Sequence, residues 1–209
     1  MLQENLIFNK TDIEINVNKF ESGESNILLI TGFSGSGKST LAKELAAEYN
    51  SKNFELDCLD FYCYEQATKE DLKEETGLLA FIEATNLQPN KNLNNKDLYT
   101  LYREYIKFLI NWCKQQSNEK FIIEGLQIYD TFKEGDYHIT NCPIIIKGTS
   151  AIISAIRAAK RNEGNSLKNF GDLIKFILKD NKNLNTLSKN INKQKTFADE
   201  FNDYSTMWD

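Results

Sequence analysis

Unbroken apolar runs and helical periodicity divide this chain between them. Residues 26–31 (NILLIT), 121–124 (FIIE) and 143–147 (PIIIK) are short and almost wholly apolar. That pattern predicts strands buried on both faces. Residues 54–59 read as another strand, second in chain order. Residues 6–20 alternate, with Ile13, Ile15 and Val17 on one face, and predict one or two short N-terminal strands. Residues 38–49 predict a helix. From Leu98 to Cys113 the residues Leu98, Leu101, Tyr102, Tyr105, Ile106, Leu109, Trp112 and Cys113 recur at intervals of three and four. They form one face of an amphipathic helix, with Asp97 well placed near its positive end. The whole stretch 64–116 reads as mostly helical, with polar 91–96 as a loop. Helices are also expected at 150–161, 167–178 and 184–191. Strands alternating with helices predict an α/β fold: a mainly parallel sheet flanked by helices, preceded by a short N-terminal β segment. No repeat or Pro/Gly/Ser linker interrupts the 209 residues, which suits a single domain, 1–209, with 64–116 as a helical insertion.

One segment carries specific chemistry. Gly32-Phe33-Ser34-Gly35-Ser36-Gly37-Lys38-Ser39-Thr40 fits the phosphate-binding loop pattern GxxxxGK[ST], and it stands between a buried strand and a helix. Glycines let successive backbone N–H groups turn inward on an anion. The helix that follows adds its positive end. Lys38 can reach β- and γ-phosphates, and the Ser39 hydroxyl is placed to ligate Mg²⁺.

Carboxylates stand at the ends of two expected strands, where ligands of open α/β sheets bind. Asp60, or Asp57 if the strand ends earlier, could orient an acceptor hydroxyl and take its proton. A capping or surface aspartate is the plainer reading. Glu124 could hold the Mg²⁺ shell opposite Ser39, and Gly125 would let backbone pass close to phosphates. A buried carboxylate paired with a cation is the alternative for Glu124. Arg157, Lys160 and Arg161 share one side of a helix and could neutralise a transferring phosphoryl group, or simply form an exposed basic helix end. His138 reads as structural, and Trp112, Tyr99 and Tyr105 as core residues.

Composition narrows the partners. A net charge of −5 argues against a duplex DNA binder. Seven lysines between Lys168 and Lys195 read as a solvated face, or as a rim for an anionic substrate. The four cysteines, Cys58, Cys63, Cys113 and Cys142, form no CxxC pair, so zinc binding is not expected. No secretory signal precedes residue 10 and no apolar stretch approaches 18 residues, so the expectation is a cytoplasmic protein without a membrane partner.

In these residues the chain resembles the P-loop small-molecule kinases, especially the uridine kinase-like and nucleoside monophosphate kinase-like enzymes. Gly32–Thr40, Asp60-Phe61-Tyr62, Ile123-Glu124-Gly125 and the Arg157–Arg161 cluster carry the likeness, in the family's order. The resemblance implies transfer of a phosphoryl group from ATP, with Mg²⁺, to a hydroxyl or phosphate. It assigns Lys38, Asp60, Arg157 and Arg161 to catalysis, Gly32–Thr40 to the nucleotide, and Ser39 and Glu124 to the metal. Residues 64–116 would then lie on the acceptor side, with Arg103 and Lys107 the nearest cations for an anionic acceptor. They contain no recognisable acceptor motif, so the acceptor and the oligomeric state stay open. A kinase for nucleic-acid ends, a nucleotide-sugar kinase and a non-catalytic ATP sensor are the competing readings. No LSGGQ-like signature supports an ABC-type ATPase. Asn9-Lys10-Thr11-Asp12 matches a guanine-reading motif but precedes the loop it should follow.

Overall fold

The computed structural model describes residues 17–32, 35–65, 67–68, 70–128 and 142–147. The chain divides into two units. One comprises 8–32 and 37–147 and holds every element described below. The other comprises 1–7, 33–36 and 148–209, of which only Gly35 and Ser36 are described. The helices expected beyond residue 150, and the N-terminal strands up to residue 16, lie outside the described residues.

Four strands, β1 (Ile27–Gly32), β2 (Lys52–Glu55), β3 (Phe121–Glu124) and β4 (Ile144–Lys147), form one sheet in the order β2-β3-β1-β4. Every pairing among the described residues is parallel, with Ile30 opposite both Glu124 and Ile145, and Glu55 opposite Glu124. The longer helices among the described residues are α1 (Lys38–Glu48), α2 (Cys58–Glu65), α3 (Thr76–Thr85) and α4 (Asn95–Lys114). The fold is α/β with a parallel sheet flanked by helices, as expected.

Unbroken apolar strands arise because both sheet faces are covered. On one face Leu28, Ile30, Ile122 and Ile145 pack with Phe20 and with Ala42 and Leu45 of α1. On the other, the Trp112 ring of α4 meets Phe54 and Phe121 edge-on at 5.9 Å. Tyr105, also on α4, is fully buried against Phe81 of α3. Tyr105 and Trp112 therefore pack as core residues, as expected, whereas Tyr99 is half-buried. Asn94 caps α4 by accepting from the N–H groups of Lys96 and Asp97, which satisfies two of the helix's free donors.

The far end of α4 is tied to the sheet by one side chain. The Asn26 amide, just before β1, donates to the Cys113 carbonyl at 2.8 Å and lies 3.4 Å from those of Gln116 and Glu119. Asn26→Ala is expected to cost about 1–2 kcal/mol by stripping these carbonyls of their donor. Thermal unfolding would check this, with a drop of about 2–4 °C per kcal/mol.

Two boundaries differ from expectation. Residues 17–21 are helical, not extended, and Phe20 is buried against α1 and β1. The second strand ends at Glu55 rather than continuing to residue 59. Leu56 and Asp57 turn the chain and α2 starts at Cys58. An apolar run cannot distinguish a strand end from the buried side of a short helix, and Leu56 and Leu59 are both fully buried.

Candidate phosphate-binding site

At the C-terminal end of β1 the chain enters the glycine-rich loop. Phe33 and Ser34 lie outside the described residues. Gly35 and Gly37 have φ values of 80° and 89°, left-handed backbone that glycine adopts without penalty. Gly37 is also the N-cap of α1. It has no side chain to cap the helix, and the first turn carries no acidic residue. The free N–H groups and the positive end of α1 are thus left for an external anion.

Lys38, Ser39 and Glu124 come together here. Because β3 is hydrogen-bonded directly to β1, its last residue Glu124 lies level with Ile30. The Lys38 Nζ is 3.9 Å from the Glu124 Oε2, and both side chains are buried. Burial raises the Glu124 carboxyl above its ordinary range. A hydrogen bond from the Ser39 hydroxyl and the Lys38 ammonium oppose that rise, whereas the carboxylates of Glu55 and Asp57 add to it. The Thr31 hydroxyl, near the end of β1, is buried without a hydrogen-bond partner. Thr40 is exposed.

Directly beyond Glu124, Gly125 donates its N–H to the Ile30 carbonyl at 3.1 Å. A β-carbon at this position would stand 2.6 Å from the Gln127 Oε1 and 2.8 Å from the Leu56 Cβ. Gly125→Ala is expected to destabilise by about 1–3 kcal/mol through overpacking, read as a lower urea midpoint at unchanged m-value.

A second cluster lies at the turn after β2. The Asp57 carboxylate accepts from the Gln127 Nε2 at 2.7 Å. Asp60 sits in the first turn of α2, half-buried, with its Oδ1 shielded and unpartnered. Burial raises the Asp60 carboxyl; the nearby Tyr102 hydroxyl lowers it and the Asp57 charge raises it again. Tyr102, on α4, is only 5% exposed. Its hydroxyl stands beside Asp60 and Gln127 without closing a well-aligned hydrogen bond to either. Arg103 and Lys107, the expected cations for an anionic acceptor, are half-buried on α4.

The structure thus brings Lys38, Ser39 and Glu124 together, and gathers Asp57 and Asp60 at the next strand end. Arg157, Lys160, Arg161 and His138 lie outside the described residues. Gln127 and the polar end of Tyr102 were not anticipated. Gln127 was detectable as the first amide after Glu124-Gly125, whereas Tyr102 was hidden because it also fits the apolar face of α4.

The model of the family described as Nephrocystin 3, N-terminal matches residues 10–134, more than half of the chain. The chain belongs to this family. Nephrocystin 3, N-terminal is a family associated with P-loop NTPase regions, which agrees with the loop, the parallel sheet and the adjacent Glu124. The matched span contains both clusters and stops before Arg157. None of the curated proteins matches the chain. Among the described residues no helix is long and apolar enough to cross a membrane.

Proposed function

We propose that the chain is a magnesium- and ATP-dependent phosphotransferase of the cytoplasm. In this reading it moves the γ-phosphoryl group of ATP to a hydroxyl of a nucleoside, nucleotide or other small compound. The juxtaposition of Lys38 and Glu124 at 3.9 Å, beside Ser39 and the uncapped start of α1, is the observation that supports it most.

The donor set suits both groups. The left-handed Gly37 and the free amides of α1 match a polyphosphate. The Ser39 hydroxyl and Glu124 carboxylate are hard oxygen donors of the kind magnesium takes, directly or through water. Magnesium, when bound, neutralises charge on the β- and γ-phosphate oxygens. Lys38 binds those oxygens from the side of α1. Asp60 orients the acceptor hydroxyl and takes its proton. The acceptor oxygen bonds to the γ-phosphorus as the bond from that phosphorus to the β–γ bridging oxygen breaks, and ADP leaves. Arg157 and Arg161, with Lys160, serve as cations for the moving phosphoryl group.

A non-catalytic nucleotide sensor is the second reading. It is favoured by the family match, which covers the nucleotide grip but not the Arg157–Arg161 cluster.

Calorimetry with Mg·ATP is expected to give a Kd below about 1 mM, in the usual range for enzyme substrates. Incubation with γ-labelled ATP and a panel of nucleosides, nucleotides, sugars and oligonucleotides is expected to label an acceptor. Binding with release of labelled orthophosphate alone would favour the sensor, and no binding at millimolar concentration would overturn both. Glu124→Gln is expected to raise the magnesium concentration for half-maximal activity about tenfold or more, as for a lost metal-site partner. An unchanged magnesium dependence would remove Glu124 from the metal site.

A further inference from the structure

The start of α3 rests on a polar cluster that the phosphate site does not use. Glu75 is the N-cap residue of α3, yet its side chain makes no capping bond to the helix. It is hydrogen-bonded instead to the Cys58 thiol at the start of α2. Apart from that thiol, the buried Glu75 Oε2 has no partner. The Tyr105 hydroxyl of α4 is fully buried and unpartnered, and the charge it feels most is that of Glu75. The rest of the contact is apolar: the Phe81 ring of α3 lies 5.1 Å from Tyr105 and 5.4 Å from Phe108 of α4. It is also tight. A β-carbon at Gly77 would stand 2.5 Å from the Leu109 Cδ2 of α4 and 3.4 Å from the Phe54 ring of β2. So α3 docks by its first turn, and the incompletely matched polar groups there are the weak seam of the contact. Among the described residues, the groups that act on Glu75 are Cys58 from α2, Tyr105 from α4, Glu55 from β2, Lys43 from α1 and Glu74 beside it. Lys43 is itself engaged by Glu55 at 3.0 Å.

We infer that Glu75 is a proton-operated latch: protonated, it fastens the start of α3 against α2 and α4, and ionised, it lets that helix open locally. The inference stands apart from the nucleotide reading. A neutral carboxyl keeps both a donor and an acceptor for the cluster, whereas a carboxylate offers acceptors alone. The carboxylate would also carry a half-buried charge beside two others of its own sign. Burial raises the Glu75 carboxyl above its ordinary 4.5. The Cys58 thiol opposes that rise, the Glu55 and Glu74 charges add to it, and Lys43 opposes it. A carboxyl raised in the closed state favours closure while protonated and loses that advantage as pH rises through its closed-state value. The latch therefore holds near pH 4 and slackens as pH climbs above 4.5. Opening also removes the bond that holds the first turn of α2, where Asp60 stands.

Hydrogen exchange of the full chain, without nucleotide, tests the latch. Amide rates from about pH 4 to 8 are divided by those of the unstructured chain at the same pH, which gives a protection factor for each amide. The bond from the Leu79 N–H to the Glu75 carbonyl, 2.9 Å long, reports the opening of α3. Amides of α3 are expected to exchange more readily than those of β1, as for a local opening. Their protection is expected to fall about threefold or more as pH rises. Glu75→Gln, which cannot ionise, is expected to hold that protection level across the range. Cys58→Ala is expected to move the fall to higher pH, since the thiol lowers the Glu75 carboxyl. Wild-type α3 protection that stays level overturns the inference, and so does a Glu75→Gln protein that loses protection to the same extent. Exchange of α3 and β1 in a single step overturns it too, because the transition is then global unfolding. A fall unmoved by Cys58→Ala takes the thiol out of the latch. Every arm reads the protein without ATP, so its outcome is separate from that of the nucleotide and transfer assays.

Discussion

Lys38→Ala is expected to reduce phosphoryl transfer by about a thousandfold or more, the scale of removing one preorganised electrostatic contact from a transition state. The side chain starts in the first turn of α1 and is buried, with its ammonium 3.9 Å from Glu124. No other lysine or arginine among the described residues pairs with Glu124. A shortened side chain leaves both the developing phosphate charge and the buried carboxylate without their cation. The two consequences separate by pH. Without Lys38 the native Glu124 carboxyl rises further above its ordinary value of 4.5. A carboxyl raised in the folded state favours folding while protonated and loses that advantage as pH rises through its native pKa. The Lys38→Ala protein is therefore expected to lose little stability below pH 4.5 and progressively more towards neutrality. Even there the loss should stay below the about 3–5 kcal/mol of a stranded buried charge, because Glu124 can take a proton instead. Thermal melts from pH 4 to 8, beside single-turnover assays at each pH, would separate lost chemistry from lost fold. A folded Lys38→Ala protein with more than a tenth of the wild-type rate would take Lys38 out of the mechanism.

Three features were legible in the sequence because each rests on strictly local physics. The strand runs at 27–32, 121–124 and 144–147 are apolar on both faces, and only burial on both sides explains that. Gly35 and Gly37 occupy left-handed backbone, which a GxG spacing before a lysine announces. The face of α4 follows from its period. What escaped were features set by neighbours remote in sequence. Leu56 and Leu59 are buried whether the chain stays extended or turns, so the run 54–59 hid a strand end and the start of α2. Val17 and Phe20 fit a helix as well as an alternating strand over so short a stretch. Asp57 and Asp60 could not be told apart until Gln127 was seen to occupy Asp57, some 70 positions away in sequence. The adjacency of β1 and β3, which sets Glu124 against Lys38, depends on strand order that no single segment encodes.

Asp60→Asn is expected to make the protein more stable and less active at once. The wild-type carboxyl is raised above its ordinary value of 3.8, first by burial and then by the Asp57 charge. It supports folding while protonated, and that support disappears as pH rises through its native pKa. The amide never ionises, so the stability of the variant relative to wild type should grow with pH and level off once the wild-type carboxyl is fully charged. Asp60 is half-buried and solvent screens part of the effect. A gain of about 1 kcal/mol at pH 8, or about 2–4 °C in Tm, is the expected scale. Near pH 3, below the ordinary carboxylate range, the two proteins should melt together. Activity should move the other way. Loss of a general base costs about a hundredfold to ten-thousandfold in kcat, while Mg·ATP affinity, set by the glycine loop, Lys38 and Ser39, should hold within about twofold. Opposite signs from one oxygen-to-nitrogen exchange are what a strained functional carboxylate produces and an ordinary helix-start aspartate does not. An Asp60→Asn protein that melts lower than wild type at pH 8, or turns over at the wild-type rate, would place Asp60 among the structural residues of α2 and move the search for the acceptor base to Asp57.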